Sequence, residues 1–246
     1  MNVTIFVEDD KANTQPEVLK VYKNGIAAEL ATIFKGDQVR TANVFEPECG
    51  LTKEVLDDTD VLLWWGHRFH DRVPDGVSKR VTDAVLSGMG FIALHSAHYS
   101  KPFKTLMGTT CSLRWRDDDF ERLWITSPSH PIAKGLPEYI ELGEEEMYGE
   151  YFDIPMPDEI VAMGWFRGGE VFRSVCTFRR GLGRAVYFQP GHETNPTYLN
   201  KDIRKMIHNT AVWAAAGVRA AEPTGSRHCK VPPESENKSS DKNFER

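Results

Sequence analysis

Three apolar runs constrain this chain more than any other feature. Val61–Trp65, Phe91–Leu94 and Ala185–Phe188 each stop abruptly, and each is followed at once by a histidine-bearing segment: Gly66-His67, His95-Ser96 and Gln189-Pro190-Gly191-His192-Glu193. Short apolar runs separated by an amphipathic segment read as buried parallel strands joined by a crossover helix. In open α/β sheets the chemistry sits just beyond the carboxyl ends of such strands. Three strand ends therefore deliver histidines to one rim.

The rest of the chain fits the same plan. Val3–Val7 and Val39–Phe45 read as the first two strands, with one helix between them over about Glu17–Phe34, because Val18, Val21, Ile26, Leu30 and Ile33 fall at helical spacing. Thr52 is a candidate cap for a short helix carrying Val55 and Leu56. Val77–Leu86 reads as the crossover helix, closed by Gly88 and Gly90, and a further helix runs to Met107. The βαβα order predicts a mainly parallel sheet with helices on both faces.

Gly108–Gly169 differs in character. Its acidic pieces, Arg116–Asp119 and Gly143–Glu146, look turn-rich, and only Leu123–Thr126, Ile140–Leu142 and Ile160–Trp165 read as short strands. This predicts a β-rich insertion forming a wall over the site. Phe172–Phe178 and Ala185–Phe188 then flank a Gly181-Leu182-Gly183 turn, and Lys201–Ala216 closes the domain as a helix. Residues 1–217 form a single domain in this reading. Residues 218–246, polar and rich in Pro, Ser and Lys, form a disordered tail.

Composition narrows the functional classes. A net charge of -6 gives no reason to expect nucleic acid or an anionic membrane surface. No apolar run approaches the roughly 20 residues that span a bilayer. The N-terminus lacks the basic segment and cleavage site of a signal peptide, so the expected location is cytoplasmic. The four cysteines, Cys49, Cys111, Cys176 and Cys229, are widely spaced and read as free structural thiols, with Cys111 the one to test for reactivity. The glycine pieces Gly88-Met89-Gly90 and Gly168-Gly169 fit no phosphate-binding fingerprint, so no nucleotide is expected.

Two His-x-x-His pairs, His67/His70 and His95/His98, together with His192, supply imidazoles for metal binding or proton transfer. The expected catalytic set is His67, His95, His98, His192 and Glu146. The expected metal ligands are His67, His95, His98 and His192, holding one divalent ion, zinc before others. His70, Ser96, Tyr148 and Glu193 are candidate substrate contacts, Tyr148 because sugars pack on aromatic faces flanked by carboxylates, a role Tyr151 could share. Ser96 lacks a nucleophile elbow and reads as a hydrogen-bonding residue. His130, His208 and His228 lack a strand-end setting and are set aside.

The blocks WWGHRFHDRV, GMGFIALHSAHYSKPFKTLMGTTCSLRWR, SHPIAKGL, EEEMYGEYFDIP and YFQPGHETNPTY together resemble the ThuA (trehalose utilisation) family over about Met1–Trp213. The resemblance implies a class I glutamine amidotransferase-like, flavodoxin-like α/β fold. True amidotransferases place a nucleophilic cysteine at a strand-to-helix turn. Here Ala93-Leu94-His95-Ser96-Ala97-His98 occupies that turn with His95 in the cysteine's place, so glutamine hydrolysis is not expected. The resemblance implies instead a role in disaccharide catabolism, on trehalose or its 3-keto derivative, alongside a sugar oxidoreductase. Two readings follow. One is a carbohydrate-active enzyme, an isomerase, lyase or hydrolase, using a histidine-rich site. The other is a non-catalytic sugar-binding or regulatory protein. A small sugar is the expected ligand of either, and a second copy of the chain is an open partner.

Overall fold

The computed structural model describes residues 1–8 and 14–220. The strands are β1 (Asn2–Val7), β2 (Gln38–Ala42), β3 (Val61–Trp65), β4 (Gly90–Leu94), β5 (Arg114–Ile125), β6 (Tyr139–Gly149), β7 (Glu159–Phe166), β8 (Val171–Arg180) and β9 (Gly183–Phe188). The helices are α1 (Pro16–Val21), α2 (Ile26–Ala31), α3 (Lys53–Asp57), α4 (Asp75–Leu86), α5 (Lys101–Met107) and α6 (Lys201–Ala215). All these strands belong to one sheet, in the order β2-β1-β3-β4-β9-β8-β7-β5-β6.

Side chains alternate across the central strands, and both faces are buried. Val3, Ile5, Leu63, Ile92 and Val186 pack with α1, α2 and α6 through Val18, Ile26, Leu30, Ile203 and Met206. Phe6, Leu62, Trp64, Phe91, Ala93 and Tyr187 pack on the other face with Leu56 of α3, Val77, Val81 and Val85 of α4 and Phe103 of α5. Each such aliphatic side chain, fully buried, contributes on the order of 2 kcal/mol, and this is what holds helices to both faces. Both tryptophans of β3 are core residues. Thr52 caps α3 as the sequence implies, accepting from the Val55 amide.

Three expectations need correction. The single helix over 17–34 is two, because the chain turns at Gly25 (φ 82°) and α1 ends at Val21. The break lets the buried Tyr22 hydroxyl donate to the Asn195 carbonyl and accept from the Tyr198 amide, tying this segment to the loop after β9. The sheet is mixed rather than mainly parallel: β2-β1-β3-β4-β9 are parallel neighbours, and β9-β8-β7-β5-β6 are antiparallel. The insertion's acidic pieces are not turns, because the insertion continues that sheet. Its acidic pieces lie within the long strands β5 and β6, where Leu123, Ile140 and Leu142 turn inward and Arg122 pairs with Glu141 outside.

After α6, Arg219 donates to the carbonyls of Leu56 and Thr59, and the Ala220 amide to the Ser87 carbonyl, so residues 218–220 dock beside α3 and α4. The remainder of the expected tail, 221–246, with His228 and Cys229, lies outside the described residues. No helix among the described residues is long and apolar enough to cross a membrane.

The crossing of β9 under α4 depends on a missing side chain. A Cβ on Gly183 would sit 2.0 Å from the Val85 carbonyl oxygen and 2.9 Å from that of Met89, both backbone atoms that cannot rotate away. Gly183→Ala should therefore lower stability by about 2 kcal/mol or more in denaturant unfolding, as overpacking against backbone does. Gly143→Ala in β6, where nothing lies within 4 Å of the new carbon, is the control and should be close to neutral.

Candidate active site

The parallel register sets the three strand ends at one height: Trp65 is paired with Leu94, and Leu94 with Phe188. The segments that follow are then pinned by two buried carboxylates. Glu8, just after β1, accepts the backbone N–H groups of His67 (2.6 Å), Arg68 (2.6 and 2.7 Å) and Phe69 (2.7 Å). Glu145, in β6, accepts from the amides of Gly191 (3.0 Å) and His192 (3.1 Å) and from the Thr197 hydroxyl (2.6 Å). Backbone N–H groups converging on a buried carboxylate satisfy it and fix the loop that bears them. His95 follows β4 directly with φ 52°, a left-handed conformation uncommon for a residue with a side chain. Such outliers cluster at functional sites.

The imidazoles of His67, His95 and His192 meet, with ring centroids 5.6 Å apart for His67–His192 and 5.5 Å for His95–His192. Each has one nitrogen committed. His95 Nδ1 lies 2.8 Å from the Gln189 carbonyl, His192 Nδ1 2.9 Å from Thr194 Oγ1, and His67 Nδ1 2.7 Å from Glu193 Oε1. His95 Nε2 then faces Glu146 Oε2 at 2.8 Å, and His192 Nε2 faces Glu193 Oε2 at 3.5 Å. Neither carboxylate oxygen makes an aligned hydrogen bond, although both are buried. Two overlapping candidate ligand sets, His95-Glu146-His192 and His67-His192-Glu193, each bring their donor atoms within 4.8 Å of one another.

Charge follows from these contacts. Burial pushes the His67 pKa down, but the hydrogen bond and charge of Glu193 more than offset this and raise it above 6.5. Burial would raise Glu193, and His67 instead pulls it down to about 2. Glu146 follows the same pattern: burial acts to raise it, and the neighbouring His95 holds it below the usual carboxylate range. His70 and His98 are each pushed down to about 4, chiefly by burial, and are neutral near pH 7.

The structure therefore separates the expected residues. His67, His95, His192, Glu146 and Glu193 come together. His98 does not join the ligand sets; its Nδ1 donates to the Cys111 carbonyl at 2.7 Å and its ring packs edge-on to Tyr148, Phe152 and Tyr187. His70 opens a short helical turn and lies against Tyr99. Tyr148 is buried and stacks on His95 (4.9 Å, 15°), so that face is closed to a sugar, while its hydroxyl meets Ser96 Oγ at 2.9 Å. Cys111 is a buried thiol pushed up to about 11 by that burial, which suits an inert role. His130, set aside from sequence, accepts from the Ile132 amide and caps a short turn.

A cavity of about 590 Å³ opens beside this cluster, lined by its His67 and Glu146 and by His70, Ser96, His98, Tyr148, Trp115 and Asp117. A second cavity of about 650 Å³ lies between α3 and α4, lined by lysine–aspartate pairs with none of the converging imidazoles. The sequence reading missed Glu8 and Glu145, whose role depends on loops distant in the chain. It missed Trp115 as well, an exposed tryptophan in a strand otherwise read as a turn.

In the metal-free protein the His67–Glu193 pair has a defined pH window. The depressed Glu193 pKa gives stability present above its ordinary 4.5 and lost as pH falls through about 2. The raised His67 pKa gives stability present below 6.5 and lost as pH rises through the raised value. Glu193→Gln removes the charge that raises His67 and leaves the burial that lowers it. An NMR titration should then show the His67 pKa below 6.5; an unchanged value would sink this account of the pair.

The sequence profile of the ThuA family, trehalose utilisation, matches residues 2–214. A ThuA-like protein from Parabacteroides merdae shares the fold with a TM-score of 0.64 at 16% identity, over 87% of this chain and 89% of that one. A ThuA-like protein from Bacteroides uniformis does so with a TM-score of 0.62 at 13% identity, over 87% and 90%. The fold also matches part of a β-galactosidase from Rahnella sp. R3, with a TM-score of 0.56 at 12% identity, over 86% of this chain and 31% of that one. No curated protein sequence matches the chain. With the family profile covering the whole α/β domain, this chain belongs to the ThuA, or trehalose utilisation, family.

Proposed function

We propose that this protein is an enzyme of disaccharide catabolism, acting on a trehalose-type sugar or its keto derivative by acid/base chemistry at a metal-assisted histidine site. Family membership supports a place in sugar metabolism. The observation that carries the chemistry is the pair of buried carboxylate oxygens, Glu146 Oε2 and Glu193 Oε2, each facing an imidazole Nε2 without a hydrogen bond. Buried acceptor atoms gathered beside two imidazoles leave a place for a cation.

The better ligand set is His95, Glu146 and His192. Both histidines have Nδ1 engaged by a backbone carbonyl or a hydroxyl, the outer contact that orients metal-binding imidazoles. Two nitrogens and one carboxylate suit zinc with a position left open. A divalent ion held there would act as a Lewis acid toward a sugar oxygen.

The chain's own residues supply the proton transfer. His67 faces the cavity with Nδ1 held by Glu193, the arrangement of an oriented base whose protonated form is stabilised by a carboxylate. A ketone acidifies the C–H beside it, so a base at His67 can take that proton. Ser96 and Tyr148, hydroxyl to hydroxyl, and the neutral His70 and His98 offer partners for sugar hydroxyls. A keto substrate requires a sugar oxidoreductase to form it.

Elemental analysis of protein purified without an affinity tag tests the metal: about one zinc per chain is expected. His95→Ala and Glu146→Gln should each lose it. His67→Ala should retain the metal and lose turnover of 3-keto-trehalose by about a hundredfold or more. Absence of metal even after zinc is added back would remove the ion from this reading, and wild-type protein that binds sugar without turning it over would remove the enzyme.

A further inference from the structure

Trp115 is 62% exposed, although tryptophan is a residue that folding ordinarily hides. It lies near the start of β5, directly across the strand pair from Tyr148. Residues opposite each other in an antiparallel pair project to the same face, with Cβ atoms about 5 Å apart. Tyr148 is the residue stacked on His95, so Trp115 stands one residue-width outward from the imidazole cluster, on the same wall of the cavity.

Its surroundings are polar and open. Ser112, Asp117 and His70 line the same cavity, and Asp117 is exposed. The ladder between β5 and β6 is irregular between Arg116 and Asp119, which frees this part of the strand from regular pairing beside the opening. An open indole face next to a carboxylate and a hydroxyl matches a pyranose ring: the C–H bonds on one face of the sugar pack on the aromatic surface, and the hydroxyls at its edge find acceptors. Tyr148 cannot provide such a face because His95 covers it, and Tyr151, exposed as it is, does not line the cavity.

We propose that Trp115 is the platform for the outer ring of a disaccharide whose inner ring lies against His67 and Glu146 in the same cavity, with Asp117 accepting hydroxyls of that outer ring. Trp115 is then a specificity residue that distinguishes two-ring from one-ring ligands. The inference rests on the sugar reading of the site and adds the size of the ligand to it.

Calorimetry with trehalose and with glucose, on wild type, Trp115→Ala, Trp115→Phe and His67→Ala, tests it. Trp115→Ala should weaken trehalose about tenfold and glucose by less than about threefold, while Trp115→Phe keeps most of the trehalose affinity. His67→Ala, lying under the inner ring, should weaken both sugars together. Equal loss of both sugars in Trp115→Ala, or loss of neither, overturns the outer-ring assignment and leaves a sugar site standing. Wild type that binds neither sugar, nor 3-keto-trehalose, overturns the assignment and the sugar reading together. Unchanged circular dichroism and melting temperature in Trp115→Ala, expected for an exposed side chain, keep the comparison free of a folding defect.

Discussion

The site depends on one constraint: the register of the parallel strands β1, β3, β4 and β9. Val7, Trp65, Leu94 and Phe188 are neighbours across that ladder, so the residues after them leave the sheet at one level. A slip of one residue in any of these strands would turn its buried side chains to the opposite face, where the helices of the other layer pack. The packing that stabilises the sheet therefore also fixes the height at which each histidine departs.

Register alone does not aim a side chain, and the aiming is done by buried anions. Glu8 gathers the amides that follow β3, and Glu145 gathers those that follow β9. Their positions show why the antiparallel half of the sheet matters to the site. Glu145, Glu146 and Tyr148 all belong to β6, the strand at the far edge of the ladder, yet they reach the rim where β9 ends. Ser174 of β8 extends the link inward, its hydroxyl 2.9 Å from Gln189 Oε1 and 3.2 Å from Glu121 Oε1, and the Gln189 backbone carbonyl in turn receives His95. Glu121 is fully buried, and that burial pushes its carboxyl well above the usual carboxylate range.

Much of this was legible in the sequence, and the reason is local. Apolar runs that stop at a histidine mark a strand and its exit within five or six residues, so β3, β4 and β9 and the positions of His67, His95 and His192 could be read directly. What could not be read depended on partners far away in the chain. The acidic segment Arg116–Asp119 resembles a turn until β6 pairs beside it. Glu8 has no signature of its own before the amides of residues 67–69 close on it. The interruption at Gly25 hides inside an apolar pattern that stays helical on both sides, because α1 and α2 face the same layer of the core.

The carboxylates that shape the rim have a consequence beyond geometry. Glu145, Glu146 and Glu193 lie within or just beneath the imidazole cluster, and Asp117 stands at the cavity mouth. No lysine or arginine lines that cavity among the described residues. In a partly desolvated cleft such a distribution draws cations in and raises the cost of an anion. Without a bound cation, this distribution favours an uncharged ligand over a phosphorylated one, whose dianion would meet carboxylates where a phosphate site would present amides or guanidinium groups.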